Sequence, residues 1–186
     1  MRLFIAVPVP EAHAAAGALI SELRSGGADV KWVSAADVHL TLSFQGEVPA
    51  DKVAILKGAL AAAAAGFPSF SAELSGVGAF PSLKDPSVIW IGVAGGSDQL
   101  AALAVRMREE LASRGLLRET EGERPFFAHL TIGRRRGLKD RHRLRKQLLA
   151  ARFGSSVRVD RLALYQSRLS AEGPVYSILA EVPLKG

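Results

Sequence analysis

An α+β fold, built from one strand-and-helix pattern used twice, is what this 186-residue sequence predicts. Three observations predict it. Apolar runs of strand length alternate with Ala- and Leu-rich runs of helical period along the whole chain. Several of the strands read as antiparallel neighbours, mixed with helices rather than segregated from them. A four-residue pattern, His-x-Thr followed by an aliphatic residue, stands once in each half, at 39–42 and at 129–132. One domain spanning 1–186 is expected, because about 100–200 residues make a domain and no linker separates the halves.

The elements follow in order. Leu3 to Val7 reads as a buried strand. Pro10 suits a first helical position, and Glu11 to Arg24 continues as an Ala/Leu-rich helix closed by Gly26-Gly27. Val30 to Val33 is a short extended piece, and Val38 to Phe44 alternates cleanly as a strand. Asp51 to Ala65 is a helix entered after Pro49 and stopped by Gly66 and Pro68. Phe70 to Val77 and Val88 to Val93 read as strands, joined by a loop rich in Gly, Pro and Ser. Ser97 is placed to cap a helix running to about Arg114, which Gly115 ends. Phe126 to Ile132 reads as a strand and Asp140 to Ala151 as a basic helix. Val157 to Tyr165 and Val175 to Val182 are closing strands about a turn at Gly173-Pro174.

Charge is unevenly spread. The net charge is +6, yet residues 1–93 hold six Lys/Arg against eight Asp/Glu, while residues 94–186 hold eighteen against ten. The excess gathers in Arg134-Arg135-Arg136 and from Lys139 to Lys146, a composition that attracts nucleic-acid phosphates or simply solvates a helix face. There is no cysteine, which excludes disulfides, thiolate catalysis and Cys-ligated metal. The apolar run from Leu3 to Val9 is broken by Pro8, and no stretch nears the roughly 20 apolar residues of a membrane span. A cytoplasmic enzyme or binding protein with no membrane partner is expected.

The two His-x-Thr sites carry the chemistry. Only three threonines are present, and two of them, Thr41 and Thr131, stand two residues after His39 and His129. Chance would give that in roughly one sequence in a thousand of this composition, so the repeat is real. Side chains alternate along a strand, which puts His39 and Thr41 on one face and Leu40 and Leu42 on the other. The same alternation sets His129 and Thr131 against Leu130 and Ile132. Two such strands across a cleft present two imidazoles and two hydroxyls to one point. That set suits a phosphodiester: one histidine takes the proton of water, the other protonates the leaving oxygen, and the hydroxyls hold the non-bridging oxygens. No His-Glu-x-x-His and no acidic cluster at ligand spacing accompanies them, so neither a metal nor another cofactor is expected. His13 and His142 lie on expected helices and read as solvated. Phe44, Phe80 and Trp90 read as core.

With these residues in view, the chain resembles the 2H phosphoesterase superfamily, and within it the RNA 2',3'-cyclic phosphodiesterases, also called the LigT-like or 2'-5' RNA ligase family. Arg2-Leu3-Phe4-Ile5-Ala6-Val7 resembles the family's first strand, and Trp32 with His39-Leu40-Thr41-Leu42-Ser43-Phe44 its first motif. Gly78-Ala79-Phe80-Pro81 with Val88-Ile89-Trp90 resembles its middle segment. Phe127 to Arg134 resembles the second motif, and Tyr165-Gln166-Ser167 with Gly173-Pro174-Val175-Tyr176 the closing hairpin. Gln45 stands where the family often has Leu, and Ala128 where proline is common.

The resemblance implies two fused lobes, each with one motif. It implies two antiparallel sheets with flanking helices in pseudo-two-fold duplication around a central cleft. It also implies the reaction: a 2',3'-cyclic phosphate at an RNA end, tRNA fragments included, opened to a 2'-phosphate by a monomer. His39 would then be the acid toward the departing 3'-oxygen, His129 the base, Thr41 and Thr131 the phosphate-binding pair, and Arg134 a substrate contact. The reverse step, 2'-5' joining, would run in the same cleft. Competing readings are the same chemistry on a small cyclic phosphate or a 2'-5' oligonucleotide, and a non-catalytic RNA-binding module. The intact double motif argues against the last.

Overall fold

A computed structural model describes residues 1–117, 125–137, 140–170 and 174–186 of the chain. Strand β1 (Arg2–Pro8) buries Leu3, Ile5 and Val7, and a 3-10 turn at Pro10–Ala12 leads into helix α1 (His13–Arg24). Strands β2 (Val30–Trp32) and β3 (His39–Glu47) precede helix α2 (Val53–Ala64). Strands β4 (Phe70–Ser82) and β5 (Asp85–Gly95) form a hairpin, followed by helix α3 (Ser97–Ser113). Strand β6 (His129–Arg135), helix α4 (Arg141–Ala150) and strands β7 (Gly154–Val159), β8 (Arg161–Leu169) and β9 (Pro174–Pro183) complete the described elements.

The helices form where the apolar spacing dictates. In α1 the buried residues are Ala16, Leu19, Ile20 and Leu23; in α2 they include Leu56, Ala59, Leu60 and Ala63; in α3 they are Leu100, Leu103, Ala104, Met107 and Leu111. Each set follows the i, i+3, i+4, i+7 rule of a helix with one buried stripe. Helix α4 buries only Leu144 and Leu148.

The α+β expectation holds, and the two sheets prove to be joined. Strand pairing runs β7-β4-β5-β6-β3-β1-β8-β9, all antiparallel, with β2 added to β6. Four strands, β3, β1, β8 and β9, make one lobe with α2 and α3 packed against it. The other lobe is β6, β5, β4 and β7, with α1 and α4 in contact. Exchanging β1 with β5, β3 with β6, β4 with β8 and β7 with β9 returns the same order, which is the pseudo-two-fold relation. The lobes meet at the rung that sets Leu40 opposite Leu130.

Several boundaries differ from expectation. The Gly/Pro/Ser-rich stretch between Val77 and Val88 is strand, not loop: β4 runs to Ser82 and β5 starts at Asp85. Register shifts near Gly76 and Pro81 absorb these residues as bulges, and Gly76 takes φ +75°. Ser97 does not cap α3; Gly96 holds that place with φ 81° and no side-chain bond. Val157 to Tyr165 is two strands, turning at Asp160 onto different lobes. Strand β6 begins at His129 rather than at Phe126 and continues through Arg135. The turn at Gly173 and the residue Lys139 lie outside the described residues. Among the described residues, no helix is long and apolar enough to cross a membrane.

Candidate active site

Strand alternation places the motif residues as their sequence requires. Leu40 and Leu130 are fully buried, while His39, Thr41, His129 and Thr131 are partly exposed. Continuing the antiparallel rung by one residue either way sets His39 opposite Thr131 and Thr41 opposite His129. Each histidine therefore faces the other strand's threonine, a crossed square of two imidazoles and two hydroxyls.

A bulge then follows at the same offset in both strands. The partners of β1 step from Thr41 to Ser43 across Leu42, and those of β5 step from Thr131 to Gly133 across Ile132. The skipped residue reverses the alternation. Phe44 and Arg134, five residues after their histidines, are returned to the histidine side. Phe44 is 53% exposed, which overturns its reading as core. Leu42, expected in the core, is only partly buried for the same reason.

The two rings are held alike. The Nδ1–H of His39 donates to the Asp37 carbonyl at 2.7 Å, and that of His129 to the Phe127 carbonyl at 2.8 Å. A carbonyl only accepts, so Nδ1 carries the proton in both rings and Nε2 is the nitrogen left to react. His13, expected to be solvated, is half-buried and donates from Nε2 to the Val38 carbonyl at 3.2 Å, bracing the entry to β3. His142 is exposed, as expected.

Aromatic rings surround each imidazole. His39 stacks on Phe4 with centroids 4.7 Å apart, lies 5.7 Å from Tyr165, and meets Tyr176 edge-on at 5.6 Å. His129 has Phe80 edge-on at 5.2 Å, Phe127 at 5.9 Å and Trp90 at 6.5 Å. Phe80 and Trp90 thus belong to the wall of the site. Gly78 makes room for it: a Cβ there would lie 2.2 Å from Cη2 of Trp90.

Burial dominates the electrostatics. It holds the His39 imidazolium down to about 4, against the Asp37 carbonyl that favours the charged ring, and a proton on His129 lowers it further. His129 is lowered too, by burial first and by the Arg134 guanidinium next, against the Phe127 carbonyl. Burial raises Asp37, opposed by His13. Both histidines are neutral at pH 7 when the site holds no anion.

Two cavities open on this square and share Thr41 and Phe44. The one on the His39 side, about 920 Å³, is lined by Thr131, Arg134, Tyr176 and Trp32, with Arg2, Arg24 and Lys31 at its wall and Asp37 among them. The one on the His129 side, about 760 Å³, is lined by Phe80, Pro81, Phe126 and Phe127, with Arg108 the cation among its described residues. Arg134 is exposed and lines the first cavity. Arg135 is not free: it pairs with Asp85 at 2.8 Å, and Arg136 is exposed beside Asp29, whose carbonyl its backbone N–H reaches. Among the described residues, no three His, Cys, Asp or Glu side chains gather to hold a metal ion.

Arg2, Arg24, Lys31, Arg108 and Tyr165 were not singled out as site residues from sequence. Scattered single cations on separate elements carry no spacing signal. Phe4 carries one, since it is an aromatic residue flanked by the apolar core residues Leu3 and Ile5 on a strand.

A family model of the 2'-5' RNA ligase superfamily matches residues 9–170. The chain is 36% identical over 188 residues to the RNA 2',3'-cyclic phosphodiesterase of Thermotoga maritima, covering 100% of this chain and 97% of that protein. It is 35% identical to the enzyme of the same name from Archaeoglobus fulgidus, covering 96% and 98%. A crystal structure from Thermus thermophilus superposes with a TM-score of 0.82 at 30% identity, covering 100% and 99%. Escherichia coli LigT complexed with 3'-AMP superposes with a TM-score of 0.75 at 26% identity, covering 100% and 98%.

Proposed function

The chain belongs to the 2'-5' RNA ligase superfamily and is a phosphodiesterase, and from that premise we propose that it hydrolyses 2',3'-cyclic phosphate ends of RNA to 2'-phosphates by two-histidine acid–base catalysis. The observation that carries this reading is the paired ring placement. Both Nδ1–H groups are spent on carbonyls two residues back, and both Nε2 atoms belong to motifs set across a single rung.

The steps balance with these groups alone. Nε2 of His129 takes a proton from water as its oxygen attacks phosphorus, and Nε2–H of His39 gives a proton to the 3'-oxygen as the P–O3' bond breaks. The product is a 2'-phosphate and a 3'-hydroxyl, with one proton moved from His39 to His129. The Thr41 and Thr131 hydroxyls donate to the non-bridging oxygens, and Arg134 offsets the developing charge. Phe44, between the two cavities, offers a face on which a base stacks. The cyclic phosphate's own charge favours protonation of His39, which the empty site disfavours. The cavity beside His129 is far larger than one water, so a 5'-hydroxyl of a second RNA can replace water there, which gives 2'-5' joining.

The test uses a short RNA ending in a 2',3'-cyclic phosphate, in excess chelator. We expect conversion to the 2'-phosphate, with His39→Ala and His129→Ala each lowering kcat by about 10²–10⁴-fold, the usual contribution of one acid or base. Activity that survives both substitutions, or a 3'-phosphate product, refutes the scheme.

A further inference from the structure

Helix α4 carries more positive charge than its own stability explains. Its sequence from Arg141 to Ala150 is RHRLRKQLLA, with no acidic residue in the first turn. Cations at a helix N-terminus oppose the macrodipole, and Arg141 with Arg145 and Arg143 with Lys146 repel at the i, i+4 and i, i+3 spacings. The residue before the helix, Asp140, makes no side-chain cap. Asp85 pairs with Arg135 and lies 3.8 Å from Arg141. Among the described residues, no carboxylate lies within ion-pair distance of Arg143, Arg145 or Lys146, all exposed.

The helix is oriented so that part of this charge stands on the flank that packs beside the end of α1. Leu144 and Leu148 face the core, which puts Arg143 and Lys146 on the flank that also carries Gln147. Gln147 packs against the end of α1: a Cβ at Gly26 would lie 1.9 Å from its Oε1. Two residues before Gly26 is Arg24, which lines the His39-side cavity, and β2 carries Lys31 to the same cavity opposite Arg134. Of the nearby carboxylates, Asp37 lines the same cavity, while two others point elsewhere. Glu22 is two residues from Arg24, on the opposite side of α1, and Asp29 lies against Gly137, where a Cβ would be 2.6 Å from Oδ2.

The geometry points to a track for single-stranded RNA, running from the His39-side cavity past Arg24 and Lys31 onto the Arg143–Lys146 flank of α4. It rests on the RNA-end reading above and deepens it: the substrate is a polymer whose phosphates upstream of the cyclic end are held outside the cleft. Phosphate contacts of this kind are independent of sequence and weaken with salt.

The test measures binding and turnover separately. Anisotropy of a fluorescein-labelled RNA dodecamer ending in a 2'-phosphate is followed against salt for the native chain and for the double variant Arg143→Glu/Lys146→Glu. Hydrolysis of 2',3'-cyclic AMP, too short to reach the helix, is followed in parallel. We expect the double variant to bind the dodecamer at least about tenfold more weakly, with a salt slope shallower by about 1.4 for two lost contacts on a single strand. Cyclic AMP hydrolysis should be unchanged. Equal dodecamer affinity overturns the track, and does so outright if binding to phosphatidylglycerol vesicles is lost instead. A parallel loss of cyclic AMP hydrolysis also overturns it, by making α4 a support of the fold. If the double variant loses RNA affinity as expected while the native chain turns over neither 2',3'-cyclic AMP nor an RNA with a 2',3'-cyclic end, the track stands and the reaction is refuted, so the two fail separately.

Discussion

Histidine holds a proton near neutrality only where water or a negative charge supports the imidazolium. At His39 both are scarce: Phe4, Tyr165 and Tyr176 pack around the ring, and burial holds it down to about 4. His129, lowered as well, has Arg134 adding to its burial. The rate constant kcat/KM reports the free enzyme. Rate rises with pH as His129 loses its proton and falls as His39 loses its own, so both limbs of the bell lie below the ordinary 6.5 of histidine. The limbs are properties of the coupled pair. A bound phosphate anion raises both rings, so the kcat profile moves to higher pH than the kcat/KM profile. Both are measured with 2',3'-cyclic AMP, and a kcat/KM optimum at or above pH 7 contradicts the assignment. At this scale the sequence was readable where spacing repeats, at His39, Thr41, His129 and Thr131. Phe44 was misread because strict alternation was assumed through a bulge that its own residues do not announce.

Bulges and one missing side chain shape the elements around the square. The matched bulges in β3 and β6 each turn one extra residue toward the histidines, and Gly78 in β4 leaves space for the Trp90 ring in β5. Gly78→Ala drives a methyl into that ring, which is confined by Phe80 and Phe127. Overpacking of this sort costs about 1–3 kcal/mol. We expect a lower Tm and a kcat loss, both largely restored in the double variant Gly78→Ala/Trp90→Phe, whose smaller ring relieves the clash. Thermal melts and kinetics on the four proteins give the coupling, and additive effects would show that Gly78 is needed for another reason. The hairpin also shows why composition misled: Gly, Pro and Ser between Val77 and Val88 read as a loop, yet pairing across β4 and β5 absorbs them.

At the scale of the whole molecule, the two halves of the chain are interlaced. Strands β4 and β5 come from the first half of the chain yet complete the sheet of β6 and β7, while β8 and β9 return to β1 and β3. Neither 1–95 nor 96–186 contains a whole lobe. We expect each fragment alone to lack native circular dichroism, the equimolar mixture to regain it, and the intact chain to melt in one transition. A fragment that folds alone, or two resolved transitions, would divide the domain. Duplication was legible in the order of elements and in the twin motifs. The interlacing was not, since which strand pairs with which depends on contacts far apart in sequence that leave no local pattern.

A pair of equivalent histidines, left to itself, has no preferred orientation for a diester. It would accept the substrate either way round, and half of all encounters would turn the leaving oxygen toward the wrong ring. Phe44 and Arg134 occupy the same place after the bulge in the two strands, but one is an apolar ring and the other a cation. That difference, together with the cations lining the His39-side cavity and the apolar rings beside His129, makes the two ends of the cleft unlike, and under the proposed scheme it sets which way round a diester enters.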